Sequence, residues 1–129
     1  MNELKFTDFV PSRAQSRDEK ISVLKSGGFS FLSTFYRSKK IDNFQYVIIR
    51  YDKSNLAVGF YFTNNGSLPG VFKLFHKKNS AVTLSTSFWR DMGLTPENYA
   101  GKYSPQLFES DGKQTYYIVL QEVQHESTA

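Results

Sequence analysis

The fold is decided by the sequence SGGFSFLSTFYRSKKI at residues 26–41, because NSAVTLSTSFWRDMGL at residues 79–94 repeats its chemistry fifty-three positions later. The identical columns are Phe35/Phe88 and Arg37/Arg90. Several other columns keep their character, with Phe31 aligned to Leu84 and Tyr36 to Trp89. A unit of about fifty residues buries little apolar surface by itself, so the repeat predicts two halves packed around a pseudo-twofold axis.

Each half is predicted to contain a strand, a two-turn helix and a hairpin. Alternating residues in GFSFL (28–32), and β-branched and aromatic residues in FQYVIIRYD (44–52) and LAVGFYF (56–62), indicate strands. Ser33/Thr34 and Thr86/Ser87 are candidate N-caps of the two helices. Beyond the helix the register shifts to fifty-seven, which aligns Phe60 with Tyr117. The expected fold is mainly β with two short helices, closed into a pseudo-twofold β-barrel.

The domain organisation follows from the turn-forming segments. The cluster TNNGSLPG (63–70) is interpreted as the joint between repeats 21–62 and 71–121, which together form one domain. Residues 1–20 are polar and without periodicity, and are interpreted as an N-terminal arm. Residues 122–129 form a polar tail. The Asp111-Gly112 pair predicts the turn of the last hairpin, and Pro105 predicts that its first strand is an edge strand or an irregular one.

Composition limits the functional classes. The chain has 129 residues, no cysteine and a net charge of +4, so a thiol nucleophile and a thiolate metal site are excluded. Residues 21–65 carry six Lys or Arg side chains against two Asp, whereas the rest of the chain is balanced. A basic face of this kind suits a phosphate backbone. No membrane span or secretory leader is evident, and a cytoplasmic location is expected.

The repeat resembles the half-domain of the AbrB/SpoVT/MraZ family of swapped-hairpin DNA-binding proteins. Ser26-Gly27 matches the family's S-G, Phe29-Ser30-Phe31 its first strand, and Phe35 its buried helical position, followed by a V-x-[IL] strand at residues 47–49. Two tandem copies in one chain are the arrangement of MraZ-type proteins. The resemblance covers about residues 21–121. It implies a swapped-hairpin β-barrel, DNA binding and transcriptional regulation in a bacterium or phage.

Motifs for catalysis are absent from the sequence, which lacks G-x-S-x-G, Walker, G-x-G-x-x-G and H-E-x-x-H patterns. The two histidines, His76 and His125, have no partner pattern. The sequence therefore predicts a protein that is not an enzyme and needs no cofactor, metal or small-molecule substrate.

The predicted function is binding of duplex DNA through paired basic clusters. The candidate phosphate contacts are Lys25, Arg37, Lys39, Lys40, Lys77, Lys78 and Arg90. Two alternatives stay open. Aromatic residues in GFYF and TYYIV are candidates for stacking on single-stranded nucleic acid. A protein-interaction or self-assembling scaffold that has lost DNA binding, including a homo-oligomer joined at strand edges, is the other.

Overall fold

A computed structural model describes residues 19–110 and 112–123 as ten strands and two short α-helices, with three single 3-10 turns at 41–43, 53–55 and 96–99. The predicted arm, apart from residues 19 and 20, and residues 124–129 of the predicted tail lie outside the described residues. The strands are β1 (Ile21–Val23), β2 (Gly28–Phe31), β3 (Tyr46–Asp52), β4 (Ala57–Thr63), β5 (Val71–Lys73), β6 (Phe75–His76), β7 (Ala81–Leu84), β8 (Gly101–Tyr103), β9 (Gln106–Ser110) and β10 (Lys113–Val119). The helices are α1 (Ser33–Ser38) and α2 (Thr86–Met92).

The strands form two antiparallel sheets of five, which confirms the mainly β prediction. Sheet A has the order β6-β7-β2-β1-β8, and sheet B has the order β5-β3-β4-β10-β9. Their inner faces meet through aromatic rings. The ring centres of Phe29 and Phe60 are 4.9 Å apart, and those of Phe31 and Phe62 are 5.1 Å apart, both pairs edge to face. Such pairs add to the stabilisation from burial, because the positive ring edge meets the negative ring face.

The predicted closed barrel is not formed. The chain passes from sheet B to sheet A at Leu74, between β5 and β6, and returns at residues 104–105, between β8 and β9. Pro105 has no amide hydrogen, so it interrupts the strand at this corner. Among the described residues the two sheets therefore pack as open layers, and β9 is an edge strand of sheet B, as Pro105 predicts.

The first-strand pairings of the two halves correspond. Val23 pairs with Phe29 between β1 and β2, and His76 pairs with Ala81 between β6 and β7. The central pair of β2 and β7 is Ser30 with Val82. These pairs relate β1 to β6 by an offset of 53 residues and β2 to β7 by 52.

The hairpin pairings also correspond. The first hairpin closes with Asp52 paired to Ala57, and the second with Ser110 paired to Lys113. Asp52 of β3 therefore corresponds to Ser110 of β9 at an offset of 58 residues, and Ala57 of β4 corresponds to Lys113 of β10 at an offset of 56. The alignment of Phe60 with Tyr117 at 57 is off by one residue, since the inner-facing pair across the two hairpins joins Phe60 to Tyr116. The two offsets differ by two because the connection between the hairpin strands is two residues shorter in the second half.

The gapless alignment of the first strands is also off by one residue. Phe31 is fully buried, whereas Leu84, its predicted counterpart, is 61% exposed. Phe31 instead faces Ala81, and Phe29 faces Thr83. Directly opposed residues of an antiparallel pair share a face, so the inner positions of β7 are Ala81 and Thr83. The offset of 53 is kept in the helices, where Phe35 and Phe88 are both buried, as predicted.

The predicted N-caps are wrong. The capping positions are Leu32 and Ser85, and neither makes a side-chain capping bond. The Ser85 hydroxyl instead donates to the carbonyl oxygen of Gly27 at 2.8 Å. Each helix is thus held by contacts with the sheet, as expected for a helix too short to be stable alone.

Candidate nucleic-acid interface

Two turns of sheet A hold three of the seven predicted basic residues. Lys25 lies in the turn at 24–27, between β1 and β2, which is closed by a 2.9 Å bond from the Gly27 amide to the Leu24 carbonyl. Lys77 and Lys78 lie in the turn at 77–80, between β6 and β7, where the Lys77 amide donates to the Ser80 carbonyl at 2.7 Å. All three lysines are exposed. Both turns therefore present ammonium groups to solvent.

Each turn lies beside the helix of the other half, because β2 and β7 are antiparallel neighbours. At the first turn, the carbonyl oxygen of Gly27 accepts bonds from Ser85 Oγ at 2.8 Å and from Trp89 Nε1 at 2.9 Å. At the second turn, the Tyr36 hydroxyl is 2.9 Å from His76 Nδ1. Tyr36 and Trp89 occupy the same column of the repeat, so equivalent residues attach both helices.

Exposed basic residues from both halves therefore lie on the turn and on the helix at each of these two places. Lys25 lies at the turn against α2, whose last turn carries exposed Arg90. Lys77 and Lys78 follow His76 at the end against α1, whose last turn carries exposed Arg37. We call these the first and second turn clusters. The two sets lie at opposite ends of the β2–β7 pair, and the pairing of matched basic groups stays a prediction.

Lys39 and Lys40 lie apart from these clusters. The Lys39 ammonium is 3.5 Å from a carboxylate oxygen of Glu19 and 5.6 Å from the centre of the Tyr116 ring. Its charge is therefore already compensated within the chain. Lys40 is exposed in the left-handed conformation that ends α1, with φ of 54°.

Sheet A carries further lysines that the sequence prediction missed. Lys102 pairs with Ser22, whose neighbours Ile21 and Val23 are buried, so Lys102 lies on the outer face of the sheet. Lys20 precedes β1, and its ammonium donates to Ser104 Oγ at 2.9 Å. The strands of sheet A and the turns and residues that flank them carry no carboxylate. Residues 20–32, 74–85 and 101–103 contain five lysines and no Asp or Glu.

Lys73 is the counterpart of Lys20 at the repeat offset of 53, and its ammonium lies 5.8 Å from the centre of the Phe75 ring. The offset of 53 in the sequence is the pattern that identifies Lys20 and Lys73 as a pair. Lys20 lies one position before the predicted start of the first repeat at residue 21.

His76 connects α1 to the end of the following 3-10 turn through two hydrogen bonds, one to Tyr36 and one to Phe44. Its Nε2 lies 2.7 Å from the carbonyl oxygen of Phe44, which accepts only, so Nε2 carries a proton. The Tyr36 hydroxyl bonds to Nδ1 of the same ring at 2.9 Å. Burial raises the pKa of Tyr36, and the charge of Asp42 raises it further. Both ring nitrogens are thereby used in holding the helix.

Within residues 19–110 and 112–123, no three His, Asp or Glu side chains come together in a group that could hold a metal ion. The helices in this part of the chain are too short to span a membrane. Comparison with known proteins finds no matching family model, no matching curated protein and no matching solved structure.

Proposed function

We propose that the protein binds duplex DNA without catalysis, as a transcriptional regulator of a bacterium or phage. The observation that carries the proposal is the charge of sheet A, whose segments hold five lysines and no carboxylate. Binding to a phosphate backbone gains from released counterions, and each neutralised phosphate adds to this gain. Carboxylates on the same surface would oppose it by repelling the phosphates.

The turn clusters supply the phosphate contacts in this proposal. Lys25 with Arg90, and Lys77 and Lys78 with Arg37, occupy opposite ends of one strand pair and are all exposed. Lys102 and Lys20 extend the same basic surface. Lys39 is left out, because Glu19 already pairs with it.

The swapped-hairpin architecture is part of the proposal. In sheet B, β3 and β4 of the first half lie between β5 and β10 of the second, and in sheet A, β1 pairs with β8. Strands of the two halves are thus interleaved in both sheets, as expected for two exchanged hairpins fused into one chain. The AbrB/MraZ-like origin of the repeat rests on this interleaving and on the sequence resemblance.

The experiment is fluorescence anisotropy with labelled random-sequence duplex DNA between about 50 and 200 mM salt. For the double variant Lys25→Ala/Lys78→Ala we expect weaker binding to all duplexes and a salt slope smaller by about 2, since each lost phosphate contact removes about 0.9. Lys53→Ala/Lys73→Ala is the matched control, because it removes the same charge from exposed lysines on the sheet B side, outside the turn clusters. Equal slopes for both variants would contradict the assignment. Absence of duplex binding by the unmodified chain would favour the scaffold alternative.

A further inference from the structure

A groove of about 580 Å³ crosses the outer face of sheet B, on the opposite side of that sheet from the core. Its floor is made of Ala57 and Gly59 on β4, the central strand, and of Thr115 on the neighbouring β10. Gly59 is needed there, because a Cβ at this position would lie 2.8 Å from Thr115 Cγ2. The low floor is therefore a consequence of small side chains at the centre of a sheet.

Aromatic rings border this floor. The strand register places Tyr117 directly opposite Gly59, and Phe108 directly opposite Thr115. Phe108 is 55% exposed, and the Tyr117 hydroxyl is held at 3.2 Å from Gln106 Oε1. Tyr61 follows the buried Phe60 and so faces outward beside the groove. Alternation thus divides the aromatic segments GFYF and TYYIV between the core and this surface.

Cations accompany these rings. The Arg50 guanidinium, opposite Gly59 on the other side of the floor, lies 5.6 Å from the centre of the Tyr61 ring. The Lys113 ammonium also lies 5.6 Å from that centre. Asp52 lines one end of the groove, but its oxygens accept hydrogens from Ser54 Oγ at 3.0 Å and Asn55 Nδ2 at 2.8 Å. These bonds lower the pKa of Asp52, so its carboxylate stays charged, and they hold it within the turn at that end of the groove. The two cations Arg50 and Lys113 outnumber this single negative charge.

We propose that this groove binds an unpaired base of a single-stranded nucleic acid. The base stacks on Phe108 and Tyr117 above the Gly59 floor, and Arg50 and Lys113 contact the neighbouring phosphates. Charge complementarity selects this occupant, since flanking cations beside aromatic rings are the combination that binds single strands. The groove volume is within the range of small-molecule sites, which accommodates one base. This site is separate from the turn clusters and does not depend on duplex binding.

The test uses the full chain and a labelled twelve-nucleotide oligothymidylate, measured by fluorescence anisotropy at low salt. Phe108→Ala is expected to weaken binding by about 5- to 150-fold, the effect of losing one stacked base. Leu107→Ala is the matched control: Leu107 is 52% exposed on the same strand but faces the other side of the sheet. Binding within twofold of the unmodified chain is expected for this control.

Two further measurements decide whether the groove binds a single nucleotide or a strand, and whether it acts independently of the turn clusters. Thymidine monophosphate competes at this groove if a single nucleotide suffices, whereas competition by the oligonucleotide alone assigns the site to a strand. Lys25→Ala/Lys78→Ala should leave the oligonucleotide affinity within twofold, so that failure of duplex binding and failure of this site are distinguishable. Equal affinities for Phe108→Ala and Leu107→Ala would overturn the proposal, as would the absence of oligonucleotide binding by the unmodified chain.

Discussion

The two short helices occupy the same place in their halves but are attached by different chemistry. Trp89 of α2 donates from its indole nitrogen to a backbone carbonyl, that of Gly27, at 2.9 Å. Tyr36 of α1 bonds instead to a side chain, His76, which in turn bonds to a backbone carbonyl. The attachment of α2 therefore has no titratable group, whereas that of α1 has two. One repeated position thus holds an indole that does not titrate in one half and a titratable phenol in the other.

The largest effect is expected at the attachment of α2. Trp89 is 1% exposed and stacks on Phe29 with a centroid separation of 5.6 Å. Trp89→Ala should lower the free energy of unfolding by about 3–5 kcal/mol, because it leaves a cavity between helix and sheet. Chemical denaturation measures the change. Leu84→Ala, at an exposed position on the adjoining strand, is the control and should change the free energy by less than about 0.5 kcal/mol. Similar losses for both variants would contradict the comparison.

The turn that receives α2 should be the next most sensitive. Gly27 has φ of 102°, and a Cβ there would lie 3.2 Å from Thr86 Cγ2 and 3.3 Å from Trp89 Cδ1. Gly27→Ala should cost about 1–3 kcal/mol of unfolding free energy, since a side chain is strained in this conformation. Thermal unfolding followed by circular dichroism provides the measurement. Ser26→Ala, one residue earlier and exposed, serves as control, and an unchanged midpoint for Gly27→Ala would show that the turn relaxes without cost.

A smaller effect is expected from removing the hydroxyl that attaches α1. Tyr36→Phe keeps the buried ring but deletes the bond to His76 Nδ1. The expected loss is about 1 kcal/mol, the net value of one intramolecular hydrogen bond. Tyr61→Phe, on the outer face of sheet B, is the matched hydroxyl deletion and should be nearly neutral. If the two variants were equally stable by chemical denaturation, the hydrogen bond between Tyr36 and His76 would contribute nothing to the free energy of unfolding.

The smallest effect distinguishes the two attachments by pH. Burial, and secondly Asp42, raises the pKa of Tyr36 above its ordinary value of 10.0, so the folded state favours the neutral phenol. This contribution is fully present below pH 10.0 and is lost as the pH rises through the higher folded pKa. The free energy of unfolding should therefore fall as the pH rises above about 10, and less steeply in Tyr36→Phe. Tyr51, Tyr103 and Tyr116 share the direction and account for the remaining slope.

Identical slopes for Tyr36→Phe and the unmodified chain, measured by denaturation at several alkaline pH values, would remove Tyr36 from this pH dependence. Trp89→Phe is the control at the other helix. It should lower stability without changing the slope, because indole does not titrate in this range.

Much of the fold was predictable from the sequence. Alternation identified the hairpins, and the identical aromatic column identified Phe35 and Phe88 as the residues that hold the two helices. The register of the strands was not predictable. A shift of one residue moves a side chain to the other face, and Ser30/Thr83 and Phe31/Leu84 resemble each other too closely to reveal it. Only the observed pairing of Phe31 with Ala81 settles the register.

The candidate sites show the same division. Composition and spacing pointed to Lys25, Lys78, Arg37 and Arg90. That Lys39 is already paired depends on Glu19, which approaches it from twenty positions earlier in the chain. The groove on sheet B was also beyond the sequence pattern, since its floor and borders come from strands that meet only when the two hairpins lie side by side.

The sequence by itself determined that the chain is a duplicated, mainly β unit with short helices held by buried aromatic rings, because these features follow from local periodicity and repetition. The tertiary structure alone decided that the sheets stay open, that each basic turn lies against the helix of the other half, and which aromatic rings face outward. Those outcomes depend on strand order and register, and these are set by packing between residues far apart in the chain.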